Sequence, residues 1–182
     1  MAKLVSKVYG DALFETAMEK QEIDQLYEQV KLLKKIWNDN KDLAELLDNP
    51  RIVKEEKIQT IKNIFSGRFC DDLSGFLTVI VDKGRQKEIP AICDYFIGIV
   101  REYKRMGVAW ITSAVELRDS QKEAIEKKLL DTTDYVGFEM NYKVEPEIIA
   151  GLIIRIGDRI VDSSVRTQLE NLRRQLSGLQ LS

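Results

Sequence analysis

The chain has 182 residues, of which 44% are hydrophobic and 32% charged, enough for one ordinary domain or two small ones, each with a modest core. A net charge of −2 excludes a strong electrostatic pull toward nucleic acid or an anionic membrane surface, so partners are expected to be held by shape and local patches. No apolar run approaches the roughly 18 to 20 residues of a membrane helix, and the opening Met1-Ala2-Lys3-Leu4-Val5-Ser6-Lys7, with no apolar core or cleavage site, reads as mature structure.

From Leu4 to Met18, Val5, Val8, Tyr9, Ala12, Leu13 and Ala17 recur at helical spacing and predict a first helix with one apolar stripe. Ile23, Leu26, Tyr27, Val30, Leu33 and Trp37 predict a second, cleaner one. A short third helix around Leu43 to Leu47 ends at Asp48-Asn49-Pro50, because the residue before a proline is pushed out of the helical region. The fourth turns Val53, Ile58, Ile61, Ile64 and Phe65 inward and stops at Gly67. Asp71 and Asp72 open the fifth at the positive end of its dipole, Leu73, Phe76, Leu77, Ile80 and Val81 give it a broad apolar arc, and Gly84 closes it. Pro90 suits a first helical turn, and Ile92, Phe96, Ile99, Val100 and Tyr103 carry the sixth helix to a stop near Gly107. Six amphipathic helices with short joints predict a helical bundle.

After Gly107 the pattern changes. Val108 to Val115 is rich in β-branched and aromatic residues that alternate at period two, so a boundary is placed near Met106, dividing the chain into 1–106 and 107–182. Asp119 or Ser120 caps a helix holding Ala124, Ile125, Lys128 and Leu129, with Ser120 and Glu123 at capping-box spacing. Val136, Phe138, Met140, Tyr142 and Val144 are apolar at every second position of the clearest strand. Gly157-Asp158 turns between strands at Gly151–Ile156 and Arg159–Asp162. Asp162 or Ser163 then caps a last helix with Val165, Leu169, Leu172 and Leu176 at a/d spacing. The fold class is therefore mainly α: an N-terminal six-helix bundle followed by a small α+β C-terminal domain with a mixed sheet.

The chain has no histidine, which removes the commonest general base, the commonest metal ligand and every Ser/His or Cys/His pair. Neither GxxxxGK[ST] nor GxGxxG occurs, so no loop is marked as a phosphate cradle. Asp71-Asp72 has the chemistry to hold a hard cation, but paired acids at a helix start are more often a cap. Cys70 and Cys93 lie in no metal or redox spacing and read as reduced thiols, Cys93 as a structural one on an apolar stripe. Arg155, Arg159, Arg166, Arg173 and Arg174 make the C-terminal stretch basic. With few aromatics among them for stacking, a solvated face or an acidic protein partner is favoured over RNA. The breadth of the apolar faces on the first and fifth helices fits either burial or a groove for a partner's amphipathic helix.

The stretch PEIIAGLIIRIGDRIVDSSVR at 146–166, followed by Leu169 and Leu172, resembles the C-terminal signature of the F-type ATP synthase delta subunit, the family of the oligomycin-sensitivity-conferring protein. Tyr9-Gly10-Asp11-Ala12-Leu13-Phe14-Glu15 is similar to the family's first helix, and Phe76-Leu77, Gly84-Arg85 and Ile89-Pro90 to its fifth and sixth. Two positions depart from the family pattern: Gly10, where alanine is common, and Ala150, where a glycine pair is common. Gly10 inside a helix costs about 1 kcal/mol relative to alanine, and Ala150 leaves Gly151 as the position of tight backbone approach.

The resemblance implies a non-catalytic stator. The N-terminal bundle would bind amphipathic N-terminal helices of alpha subunits, and the C-terminal domain the C-terminal end of the b subunit. One copy would serve each complex at the cytoplasmic face of the cell membrane, without insertion, nucleic acid, cofactor or metal. By the same resemblance the alpha-subunit groove is expected on the first and fifth helices, with Tyr9, Leu13, Phe14, Phe76, Leu77 and Ile80 as contacts, and Arg166 as a stalk contact. Gly84, Arg85, Gly151, Gly157, Asp158 and Asp162 are expected to shape turns and caps. The competing readings are a helical-bundle RNA-binding or antitermination factor and an enzyme using Asp71 or Asp72 with a divalent cation.

Overall fold

The computed structural model describes residues 2–65 and 67–179. The chain is mainly helical with one small sheet, and it divides into two compact units, 1–102 and 103–182.

The first unit is built from α1 (Ala2–Glu19), α2 (Ile23–Asp39), α3 (Lys41–Asp48), α4 (Lys54–Phe65), α5 (Asp71–Asp82) and α6 (Ile89–Tyr103), with one 3₁₀ turn at Gln86–Glu88. Their inward faces share one apolar cluster in which Leu33, Leu47, Ile61, Phe65, Leu73, Leu77, Ile80, Ile92 and Phe96 are almost fully buried. The stripe on α2 is as its spacing predicts, with Leu26, Tyr27, Val30, Leu33 and Trp37 all buried. The α1 stripe is displaced. Ser6, Gly10, Leu13 and Ala17 face inward, whereas Val8 and Ala12 face solvent, because Gly10 gives the turn of helix a surface flat enough to approach α6. Val53, expected inward, is also exposed and precedes α4.

Helix ends are set by backbone geometry that only partly follows glycine. Gly84 takes φ +66 and donates to Val81 O while Arg85 N–H donates to Ile80 O, a complete Schellman motif after α5. The same motif ends α1 without glycine. Gln21 takes φ +58 and donates to Met18 O, and Glu22 N–H donates to Ala17 O. The sixth helix stops at Tyr103, short of Gly107, because Arg105 turns the chain with φ +51; Gly107 instead lies in a strand, where a Cβ would collide with the Phe138 ring.

The second unit orders its strands β2-β1-β3-β4, from β1 (Met106–Ser113), β2 (Gly137–Val144), β3 (Leu152–Ile156) and β4 (Arg159–Asp162). β1 pairs in parallel with β2 across α7 (Asp119–Thr132), and antiparallel with β3, which forms a hairpin with β4. Ala109 and Ile111 on β1, Phe138 on β2 and Leu129 on α7 make the small core. The alternating stretch therefore buries only Phe138 and, in part, Met140; Val136, which precedes β2, and Tyr142 and Val144, toward the end of this edge strand, are exposed. The capping-box reading at Ser120 shifts by two residues: Arg118 is the N-cap, and its N–H donates to Gln121 Oε1 at 3.0 Å. The last helix, α8 (Val165–Leu179), is capped by Ser164, whose Oγ accepts from Thr167 N–H, with Asp162 supporting it from outside.

Candidate partner-binding site

Two of the six expected groove residues on α1 and α5 meet directly. The Tyr9 and Phe76 rings contact edge to face, with centroids 6.1 Å apart and planes at 71°. Farther along, Lys20 Nζ pairs with Asp72 at 2.6 Å, so the two helices are bridged at two levels. Hydrogen bonding to Asp72 raises the Lys20 pKa above its ordinary value. On the outward faces of the same two helices, Leu4 (68% exposed), Val8 (59%) and Val79 (49%) present apolar side chains to solvent.

Leu13, Leu77 and Ile80 are buried in the core and offer no side chain to a partner. Phe14 is half-buried, but helical geometry puts it on the opposite flank of the buried stripe from Tyr9. The surface candidates are accordingly Tyr9 and Phe76, with Leu4, Val8 and Val79 exposed elsewhere on the same two helices. Sequence reasoning passed over Leu4 and Val79 and assigned Val8 to the core; their signal was apolar character outside the narrower inward stripe.

In the second unit, Arg166 pairs with Glu170 Oε1 at 3.1 Å and lies 3.8 Å from Glu147 Oε2, so it ties α8 to the turn before β3. Asp162 accepts hydrogen bonds from Ser164 N–H and Thr167 Oγ1–H, both at 2.8 Å, and these hold its pKa below the ordinary carboxylate value. Gly157 has positive φ at the first central position of the β3–β4 turn while Asp158 does not, the II′ pattern. Gly151 has φ +90, and a Cβ there would collide with the Ser163 carbonyl oxygen, so it is the site of close backbone approach. Just before it, Ile149 (φ 70, ψ −59) is the centre of a strained γ-turn closed by Ala150 N–H to Ile148 O at 2.9 Å. Ile149 lines an apolar groove of about 560 Å³ with Val115, Leu117, Ile125 and Leu152. Trp110, about half exposed on β1, carries the Arg155 guanidinium 5.7 Å from its ring centroid. Leu169, Leu172 and Leu176 of α8 are each more than half exposed.

Residues 5–176 match the family model for the ATP synthase delta (OSCP) subunit. The chain belongs to that family. ATP synthase subunit delta of Lachnoclostridium phytofermentans is 54% identical over 181 residues, covering all of both chains. The subunit delta of Alkaliphilus oremlandii is 32% identical over 179 residues, covering 98% of this chain and 99% of that one. A chain in the structure of the Toxoplasma gondii mitochondrial ATP synthase hexamer has the same fold, with a TM-score of 0.70 at 18% identity over 94% of this chain and 96% of that one.

As a delta (OSCP) subunit the chain is a non-catalytic stator component of the ATP synthase, and the RNA-binding and cation-enzyme readings give way to that role. Local chemistry agrees for the residues those readings used. Asp72 is engaged by Lys20. Cys93 is buried, which with the nearby Asp94 pushes its thiol up to about 12 and leaves it a poor nucleophile. Among the described residues no helix of this delta subunit is long and apolar enough to cross a membrane.

Proposed function

We propose that the delta subunit described here clamps the synthase at two places. The N-terminal domain (1–106), a six-helix bundle, receives the amphipathic N-terminal helices of alpha subunits on α1 and α5; the C-terminal domain (107–182) holds the C-terminal end of the b subunit. One copy serves each complex, peripheral to the cytoplasmic face of the cell membrane. Ion-driven rotation then turns the rotor and not the head, because the clamp supplies stiffness and slow dissociation.

The observation that carries the upper contact is the Tyr9–Phe76 pair, on two helices that also expose Leu4, Val8 and Val79. Aromatic and aliphatic anchors on two adjoining helices are what a helix-in-groove contact uses, and a standard interface of roughly 1,600 Å² with good anchors supports nanomolar affinity, about 12 kcal/mol.

The test is calorimetric titration of the full chain with a peptide of the cognate alpha subunit's N-terminal segment, at low and high salt. Tight binding that changes little with salt supports an apolar groove. Absence of binding rejects the helix-in-groove contact.

A further inference from the structure

The first helix meets the rest of its unit through a narrow face of mostly small residues. Ser6, Gly10, Leu13 and Ala17 are buried, and Leu13 alone among them has a large side chain. Interlocking of large side chains is what keeps a packed helix from turning about its own axis, and this face offers one such side chain. The roll of α1 is therefore set by contacts on its flanks.

One flank carries the contacts to α5, Tyr9 against Phe76 and Lys20 against Asp72. Positions 9 and 20 are about three helical turns apart, so both lie on the same side of α1. The ion pair is partly solvated, and such a pair resists motion only weakly. A different flank carries Tyr95 of α6. Its ring covers Gly10, which is turned by about 100° from Tyr9 around the helix axis, and its hydroxyl donates at 3.1 Å to Oδ1 of Asp11, about 100° farther round. One side chain thus grips α1 at two successive residues. The ring contact requires glycine at position 10, and the hydrogen bond requires an acceptor at position 11. Both are made at the same roll of α1 that turns Tyr9 toward Phe76.

We propose that Tyr95 is a positioning residue for the partner site on α1 and α5: seated on Gly10 and hooked to Asp11, it fixes the roll of α1 and so holds Tyr9 against Phe76. The inference rests on the reading of α1 and α5 as the receiver of alpha-subunit helices. Tyr95 touches no partner in this role; it acts through the orientation of Tyr9, so that the site is preorganised before a helix arrives.

The test has two readouts on the full chain. Nuclear Overhauser effects between the Tyr9 and Phe76 rings report the roll of α1 with no partner present, and calorimetric titration with a peptide of the cognate alpha subunit's N-terminal segment reports the site. Tyr95→Phe keeps the ring and removes the hydroxyl; Asp11→Ala removes the acceptor. Each should weaken the Overhauser effects and lower peptide affinity by about three- to tenfold, the factor a single hydrogen bond accounts for. The double variant should bind no more weakly than either single one, because both changes remove the same bond. Asp11→Asn keeps an acceptor oxygen and should restore wild-type values in both readouts, a rescue that a general loss of stability would not give. Unchanged Overhauser effects in both Tyr95→Phe and Asp11→Ala, or Asp11→Asn behaving like Asp11→Ala, overturns the proposal. If the wild-type chain binds the peptide and these two variants bind it equally well, the groove reading stands and the positioning role is wrong. If the wild-type chain binds no peptide, the groove reading itself fails and Tyr95 positions no site.

Discussion

Tyr95 on α6 lies directly against Gly10 on α1, and its hydroxyl donates to Asp11 Oδ1 at 3.1 Å. A Cβ on residue 10 would collide with Cδ1 of that ring, so the glycine that weakens α1 as a helix is what lets the two helices meet. Gly10→Ala should destabilise the N-terminal unit by about 1–2 kcal/mol through overpacking. In a Tyr95→Ala background the same change should become stabilising by up to about 1 kcal/mol, since only the helix-propensity gain remains. Urea denaturation of the four proteins closes the cycle; additive effects would show that ring and glycine do not act together.

Gly151 is held at φ +90 with Ser163 O behind it, and the obstacle is backbone, which cannot swing aside as a ring can. Gly151→Ala should cost about 2–3 kcal/mol, from positive-φ strain plus displacement of the segment leading into α8. Amide hydrogen exchange should show the loss concentrated in β3, β4 and the start of α8. Full protection there would contradict it.

Substitutions on α1 and α5 should separate surface from core. Val8→Asp should leave stability within about 0.5 kcal/mol of wild type while weakening binding of the alpha N-terminal peptide. Leu77→Asp places a carboxylate at a fully buried position and should unfold the N-terminal unit outright. Thermal melts and titrations of both variants check this. Unimpaired peptide binding by Val8→Asp would exclude that part of α1 from the groove.

The Asp162 carboxyl is held below its ordinary value of 3.8 by hydrogen bonds from Ser164 and Thr167. A depressed folded pKa contributes stability that is complete above the unfolded value and is lost as pH falls through the folded one. Stability should therefore drop below about pH 4, and Asp162→Asn should flatten that part of the pH profile while lowering α8 helicity near neutrality. An unchanged acid limb in the variant would remove Asp162 as a contributor.

With its pKa pushed up to about 12, Cys93 at pH 8 is thiolate in roughly one molecule in 10⁴. Alkylation of Cys93, followed by mass spectrometry, should proceed only as fast as the N-terminal unit opens and should accelerate with urea. A rate independent of urea would mean the thiol is reached in the folded state.

The sequence by itself determined the element order, a change from helical to alternating pattern beyond the sixth helix, the core stripe of α2, the closure of α5 at Gly84 and the family, because each rests on local periodicity, turn chemistry or a contiguous signature. Tertiary structure decided which apolar residues of α1 and α5 are exposed and which are core. Leu13, Leu77 and Ile80 have the same side-chain chemistry as Leu4, Val8 and Val79, and only the neighbouring helices separate a buried face from an exposed one. It also decided the ends at Gln21 and Arg105, where non-glycine residues take positive φ, and the roles of Gly10 and Gly107, each facing an aromatic ring from a residue distant in the chain. Those distinctions depend on which surfaces meet, and a one-dimensional pattern contains the propensity to be apolar or flexible but not the identity of the atom on the other side.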